Sequence, residues 1–235
     1  MASQPPNGYL FNHKIYARVR LATDSDVPHL YKLMYHMALL HNVPFDATVS
    51  SISNNLFKSN PLPPFQSLTA LILEVSPNPF PNISNHPIFN PIVKTIDLEK
   101  PIIDKESELF RSSSGKDDDD DDFFIGGYVL FFPSYFSVLK NPGIFVDHLY
   151  VRKCYRELGF GEIMYSLVAS YAAKKGYSMV DQVVAPWNVN ILKLLEKMGV
   201  KFVEGLRLHR LSGKELEAHA NDFPIDKNPN ISSRL

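Results

Sequence analysis

The chain has 235 residues, 45% hydrophobic and 12% aromatic, enough to bury a core of domain size. Its single cysteine, Cys154, excludes an intrachain disulfide and any cysteine-based metal cluster. Net charge is −1, yet six negatives lie in Asp117–Asp122; the remainder is mildly basic, and its lysines and arginines are too scattered for a nucleic-acid face.

Residues 1–12 read as a flexible tail, and 13–235 as a single domain. Tyr16–Leu21 alternates and predicts an opening strand. Thr23 or Asp24 can cap the helix that follows, whose apolar face is Leu30, Leu33, Met34, Met37 and Leu40 and which Pro44 stops. A shorter helix is expected over Val49–Lys58, and the apolar run Thr69–Val75 predicts a central strand. From about 76 to 122 the pattern breaks. Asn, Pro and Ser dominate its first part, and the run ends in six aspartates that repel one another, so a disordered acidic insertion is predicted. Ile92–Leu98 is a strand candidate within it. Order returns with the strand Phe123–Phe132, which contains a glycine pair, and with an apolar strand over Ile144–Val151. A helix follows over Gly161–Lys175, facing inward through Ile163, Leu167, Val168 and Tyr171 and ended by Gly176. Ser178–Val184 predicts a strand, Asn188 caps a helix closed by Gly199, and Val200–Val203 and Leu206–Leu211 are final strand candidates. Helices interleaved with strands predict an α/β fold, a mixed sheet with helices on both faces.

The chemistry-bearing stretch runs from Asp147 to Gly161. A strand enters Arg156-x-x-Gly159-x-Gly161 and a helix starts at once. Such a turn presents unpaired helix N–H groups to an anion, and glycine allows close approach. Taken alone, the pattern is equally that of a tight turn before a helix. A dinucleotide fingerprint is disfavoured because Met164 occupies the place of its third small residue, and no Gly-Lys-Ser/Thr follows to make a P-loop. Two further features add weight: a second strand ends in Ala185-Pro-Trp-Asn188 before another helix, and the carboxylate of Asp147 lies on the strand feeding the turn. His36 and His41 lie five residues apart without a completing acid, so no metal site is read there. Strand alternation puts His148 on the face opposite Asp147, as a packed residue. Cys154, although beside Arg152 and Lys153, reads as an incidental thiol.

With Arg156-x-x-Gly159-x-Gly161, Asp147-His-Leu-Tyr-Val151, Ala185-Pro-Trp-Asn188 and the Asp-bearing cap of the first helix, the chain resembles the GCN5-related N-acetyltransferases (GNAT). Within them it is similar to the spermidine/spermine and thialysine branch and to the plant diamine or ornithine type, over about residues 14–215 excluding the insertion. The resemblance implies a mostly antiparallel sheet whose central strands splay around acetyl-CoA. It implies that the backbone of Leu149, Tyr150 and Val151 holds the thioester and pantetheine arm. The amides of Arg156, Glu157, Leu158, Gly159, Phe160 and Gly161 would grip the pyrophosphate, and Asn188 would contact the cofactor from the neighbouring strand. Asp147 stands where the polyamine enzymes carry a glutamate base. An alkylammonium with a pKa near ~10.4 must lose a proton before it attacks, so Asp147 is the candidate base, with attraction of a cationic substrate as the other reading.

The chain also departs from the branch. Leu195 replaces the tyrosine that protonates the leaving thiolate, and water, Tyr150 or Tyr155 would have to stand in. His41 replaces a glutamate that binds the distal amine, and another acid is missing near Ser137. The resemblance therefore implies acetyl transfer to a short diamine, polyamine or basic amino acid, with acetyl-CoA as cosubstrate, no metal, a small-molecule amine partner and a homodimer. The rivals are a protein lysine or N-terminal acetyltransferase and a weakly catalytic CoA-binding protein. No apolar run reaches the ~18 residues of a membrane span, and the opening residues lack a basic and apolar leader, so a cytoplasmic location without membrane or nucleic-acid partners is expected. The insertion should leave the sheet at the pyrophosphate edge as an acidic flap.

Overall fold

A computed structural model describes residues 11–59, 62–81, 87–112, 123–135, 142–204, 211 and 213–219. Its centre is a six-stranded sheet in the order β3-β1-β2-β4-β5-β6. The strands are β1 (Lys14–Leu21), β2 (Thr69–Ser76), β3 (Ile92–Asp97), β4 (Phe124–Ser134), β5 (Gly143–Val151) and β6 (Val180–Gln182). All neighbours are antiparallel except β5 and β6. The helices are α1 (Val27–His41), α2 (Val49–Ser53, continued by a π turn over Asn54–Lys58), α3 (Phe160–Lys174), α4 (Val189–Lys197) and α5 (Gly213–Ala218). Residues up to Met198 form one unit and those from Gly199 a second, in which α5 is the described helix.

β2 is buried along its whole length, as an apolar run in mid-sheet should be. On one sheet face, Leu30, Leu33 and Met34 of α1 and Ile52 and Leu56 of the next helical segment pack on Ala70, Ile72, Tyr128, Leu130 and Tyr150. On the other face, Tyr171 of α3 lies 4.3 Å from the Phe65 ring, which in turn meets Phe131 of β4 at 5.5 Å. The start of α1 is fixed by a capping box between Thr23 and Asp26. Arg20 joins Asp26 to Glu74 on β2, with contacts of 2.7 Å to each carboxylate. The carboxylate of Glu74, fully buried, also receives Arg18 and Ser112, so its charge is compensated where an unpaired one would be costly.

Two bulges shape β4 and β5. The first falls at the glycine pair, where β4 shifts register against β2 between Leu73 and Glu74. At Gly127 a Cβ would collide with the Tyr150 carbonyl, so the close approach of β5 there requires glycine. The second bulge is in β5. Leu130 pairs with His148 but Phe131 with Val146, so Asp147 is the extra residue.

Several elements differ from the sequence reading. The strand candidate inside the expected insertion is present, as the edge strand Ile92–Asp97 paired with β1, so the insertion is not disordered there. Residues 104–112 are likewise structured: Phe110 is fully buried, and Asp104 and Ser112 are buried polar residues. The disorder read over 76–122 therefore does not extend to them, because Asp104 and Phe110 find buried partners that local composition conceals. The aspartate run lies outside the described residues, as do the expected acid position at Ser137 and most of the Leu206–Leu211 strand. Val200–Val203 is not a strand. The inner face of α3 is Phe160, Met164, Tyr165, Val168 and Ala172, rotated from the predicted face. Leu40 is exposed near the end of α1, which closes on Asn42 in the left-handed region. The strand expected over Ser178–Val184 is confined to three residues because β6 pairs only with Ile144–Val146.

Candidate active site

That short pairing makes the site. Beyond Val146, β5 runs on to Val151 without a β6 partner, so the two strands part and one edge of Asp147–Val151 is left open. Such an edge offers backbone donors and acceptors to an extended ligand arm. Leu149, Tyr150 and Val151 all lie on it, although the Val151 carbonyl is already taken by Arg156 Nε at 2.9 Å.

The chain then turns into α3. Glu157 and Gly159 both have positive φ, 67° and 80°, and Gly159 is the helix N-cap. The left-handed turn is strained at Glu157 and natural at glycine. Ile163 N–H returns to the Gly159 carbonyl at 3.0 Å, which closes the first turn. The N–H groups of Phe160, Gly161 and Glu162 ahead of it are those a helix leaves unpaired. The exposed, open surface above Gly159 leaves room for a phosphate. Asn188 is the N-cap of α4, yet its side chain makes no capping bond. A groove of about 460 Å³ lies beside this turn, between α3 residues such as Ile163 and Leu167 and the edge-strand residues Ile92 and Lys94, away from Asp147.

The polar centre lies on the α1 face of the sheet. Because of the bulge, Asp147 and His148 do not simply alternate: His148 Nε2 is 3.4 Å from Asp147 Oδ2. His148 Nδ1 is 2.9 Å from Tyr128 Oη on β4. The sequence expectation that His148 faces away from Asp147 is thus corrected by one inserted residue. Burial holds the His148 imidazole below its ordinary pKa against the pull of Asp147, and His41 adds to the lowering. Burial first, then Asp147 and Tyr150, hold the Tyr128 hydroxyl well above its usual range. Both groups are therefore neutral near pH 7, while Asp147 is exposed. His41 stands edge-on to Trp187, ring centroids 4.8 Å apart.

The tyrosines named as stand-ins for the missing acid part company. Leu195 is buried in α4 and carries no proton. Tyr155 is fully buried and donates to Asp104 at 2.6 Å, which removes it from the site. Tyr150 lies across the strands from Tyr128, with Arg156 over its ring at 5.6 Å. The Cys154 thiol is pushed up to about 12, chiefly by burial and then by Asp104. Arg152 is also buried. It forks onto Asp104, 2.7 Å from one carboxylate oxygen, and lies over the Phe110 ring at 4.0 Å. Tyr128, Asp104 and Arg152 were not singled out as site or support residues from sequence. Tyr128 follows the glycine pair, which is a local clue, whereas Asp104 lies 48 residues from its partner and has none.

An acetyltransferase (GNAT) family model matches residues 87–200. Tyramine N-feruloyltransferase 4/11 of Nicotiana tabacum is 39% identical over 223 residues, covering 94% of this chain and 98% of that protein. The chain belongs to the GNAT acetyltransferase family. This GNAT chain is also 38% identical over 210 residues to L-ornithine N5-acetyltransferase NATA1 of Arabidopsis thaliana, covering 88% of this chain and 89% of that one. Among solved structures, aminoglycoside N-acetyltransferase AAC(6')-Iy in complex with CoA superposes with a TM-score of 0.51 at 11% identity, covering 83% of this chain and 94% of that one. The integron cassette protein VCH_CASS6 of V. cholerae gives 0.53 at 10%, covering 87% and 98%. These structures share the fold. The GNAT assignment makes the chain an enzyme that transfers an acyl group to an amine, with acetyl-CoA as the family's donor. The open edge of β5 and the Arg156–Gly161 turn fit such a donor. Among the described residues no helix is long and apolar enough to cross a membrane.

Proposed function

We propose that this GNAT enzyme acetylates a primary amine of a small diamine, polyamine or basic amino acid, using acetyl-CoA. The observation that carries the reading is Asp147: an exposed carboxylate on a bulge, where β5 parts from β6, backed by His148 and Tyr128. Leu149, Tyr150 and Val151 would hold the acyl donor's arm, the amides of Arg156–Gly161 its pyrophosphate, and Asn188 would reach it from α4. The donor supplies an activated acyl thioester. The protein's own task is to neutralise the amine. Asp147 attracts the ammonium and accepts its proton directly or through water. His148 steadies the carboxylate, and Tyr128 fixes the imidazole. His41 and Trp187 wall the acceptor side.

Small-amine acylation also fits the names of the two relatives, one acting on ornithine and one on tyramine. The rings of Tyr128, Tyr150, His41 and Trp187 favour an arylalkylamine as a second acceptor class. The test is a panel of ornithine, 1,4-diaminobutane, spermidine, thialysine, tyramine and a lysine peptide, with free thiol as the product measured. Turnover of the small amines, lost in Asp147→Asn with acetyl-CoA affinity kept, is expected. Turnover of the peptide alone would favour a protein acetyltransferase, and flat background throughout would favour a CoA-binding protein.

A further inference from the structure

Glu106 lies in the segment that follows β3. It is held between two pins. On one side its backbone N–H donates to Asp104 Oδ1 at 3.0 Å, and Asp104 is locked to buried Arg152 directly after β5. On the other, Phe110 is buried against α1 and Lys32 Nζ donates to the Leu109 carbonyl at 2.7 Å. The carboxylate is left on the α1 side of the sheet. Oε1 is 3.7 Å from His36 Nε2 and Oε2 is 3.5 Å from Arg152 Nη2, both looser than a direct charged hydrogen bond. The short bonds of Arg152 go to Asp104, and the Glu106 side chain keeps 46% of its surface exposed. It therefore has capacity for another cation.

Its position relative to Asp147 follows from α1. Met37 accepts from Tyr128 Oη at 3.8 Å, and His41 acts on His148, so this part of α1 overlooks the Asp147 end. His36 overlooks Glu106. His36 and His41 lie on successive turns of α1, about 7.5 Å apart in rise and about 140° apart around the axis, so the two ends are reached from different sides of the helix. Tyr150, the β5 residue between the two ends, feels the Glu106 charge.

We propose that Glu106 binds the second, non-reacting ammonium of a diamine or basic amino acid, a role that rests on the amine-acylation reading above. The segment after β3 thus supplies an acid that α1 lacks at His41.

The test compares Glu106→Gln, Glu106→Asp and wild type on ornithine, 1,4-diaminobutane and butylamine, which lacks the second ammonium. Wild type should prefer 1,4-diaminobutane over butylamine. Glu106→Gln should raise KM for both diamines about tenfold with little change in kcat. It should move butylamine and the KM for acetyl-CoA less than twofold, and Glu106→Asp should fall between. A parallel loss on butylamine, or no change on the diamines, would overturn the role of Glu106. A wild type that acylates butylamine as well as 1,4-diaminobutane overturns it alone. A wild type that binds acetyl-CoA but acylates no amine removes the underlying reading as well.

Discussion

Tyr128 Oη and His148 Nδ1 lie 2.9 Å apart because Leu130, two residues beyond Tyr128, pairs with His148 and not with Asp147. The bulge turns two sequence neighbours, Asp147 and His148, towards one another and ties both to β4. Removing the hydroxyl should loosen the imidazole without removing packing. Tyr128→Phe is expected to lower kcat about tenfold with amine KM within twofold. Tyr155→Phe, which loses a bond to Asp104 instead, should lower stability and leave kcat near wild type. Equal kcat for wild type and Tyr128→Phe would remove Tyr128 from the catalytic chain.

The Arg152–Asp104 pair predicts a large stability effect. Both partners are buried, so Asp104→Ala strands a guanidinium and frees Tyr155 Oη. A loss of about 3–5 kcal/mol in urea unfolding is expected. Asp104→Asn, which retains an acceptor, should lose less. A drop under 1 kcal/mol for the alanine variant would mean that the pair is dispensable.

Gly159 should fail as alanine for conformational reasons. An added methyl group meets no atom within 4 Å, so only the φ of +80° opposes it. The strain is about 1–2 kcal/mol. It should appear partly as lower stability and partly as a severalfold higher Kd for acetyl-CoA, measured by calorimetry. Gly161→Ala, where the helix is ordinary and Leu194 Cδ1 is 3.4 Å away, should be the milder change.

Cys154 gives a chemical readout of the same region. With its thiol pushed up to about 12 by burial, it is almost wholly protonated at pH 8. Alkylation by iodoacetamide at that pH should be slow in the folded chain and should accelerate in step with urea unfolding. Rapid labelling in native buffer would contradict the placement of Cys154.

Stability should also depend on pH through His148. Its folded pKa lies below 6.5, so between that lowered value and 6.5 the unfolded chain holds a proton that the folded chain refuses. Stability from this source is complete above pH 6.5 and declines as pH falls through the window. His29 is shifted in the same direction, again mainly by burial, and contributes alike. The decline between pH 7.5 and 5.5 should shrink in His148→Asn. An unchanged decline would assign it elsewhere.

Much of this site is legible in the sequence because it depends on local rules. Gly159 before Phe160, Asn188 before α4 and the apolar run into Val151 are strand, cap and turn signals within a few residues of one another. What escapes is what depends on distant partners. The alternation that separates Asp147 from His148 fails because a bulge is decided by the register of β4, not by β5 itself. The segment from 99 to 112 reads as loop by composition, yet Phe110 is buried beneath α1 and Ser112 reaches Glu74, 38 residues away. The inward face of α3 keeps Val168 from the predicted face but takes Phe160 and Met164 in place of Ile163 and Leu167, which carry the same hydrophobic signal.

Ser112 N–H and the Phe123 carbonyl are joined at 2.6 Å, and Arg111 bridges to Phe124 just beside them. The stretch between positions 112 and 123 thus begins and ends at one fastened point on the sheet. Doubling the length of such a closed stretch costs only about 0.6 kcal/mol. Foreign sequence placed between these two fastened ends should leave their pairing to the sheet intact, whereas the same cargo ten residues earlier would displace Ile102 from Phe11 and Asp104 from Arg152.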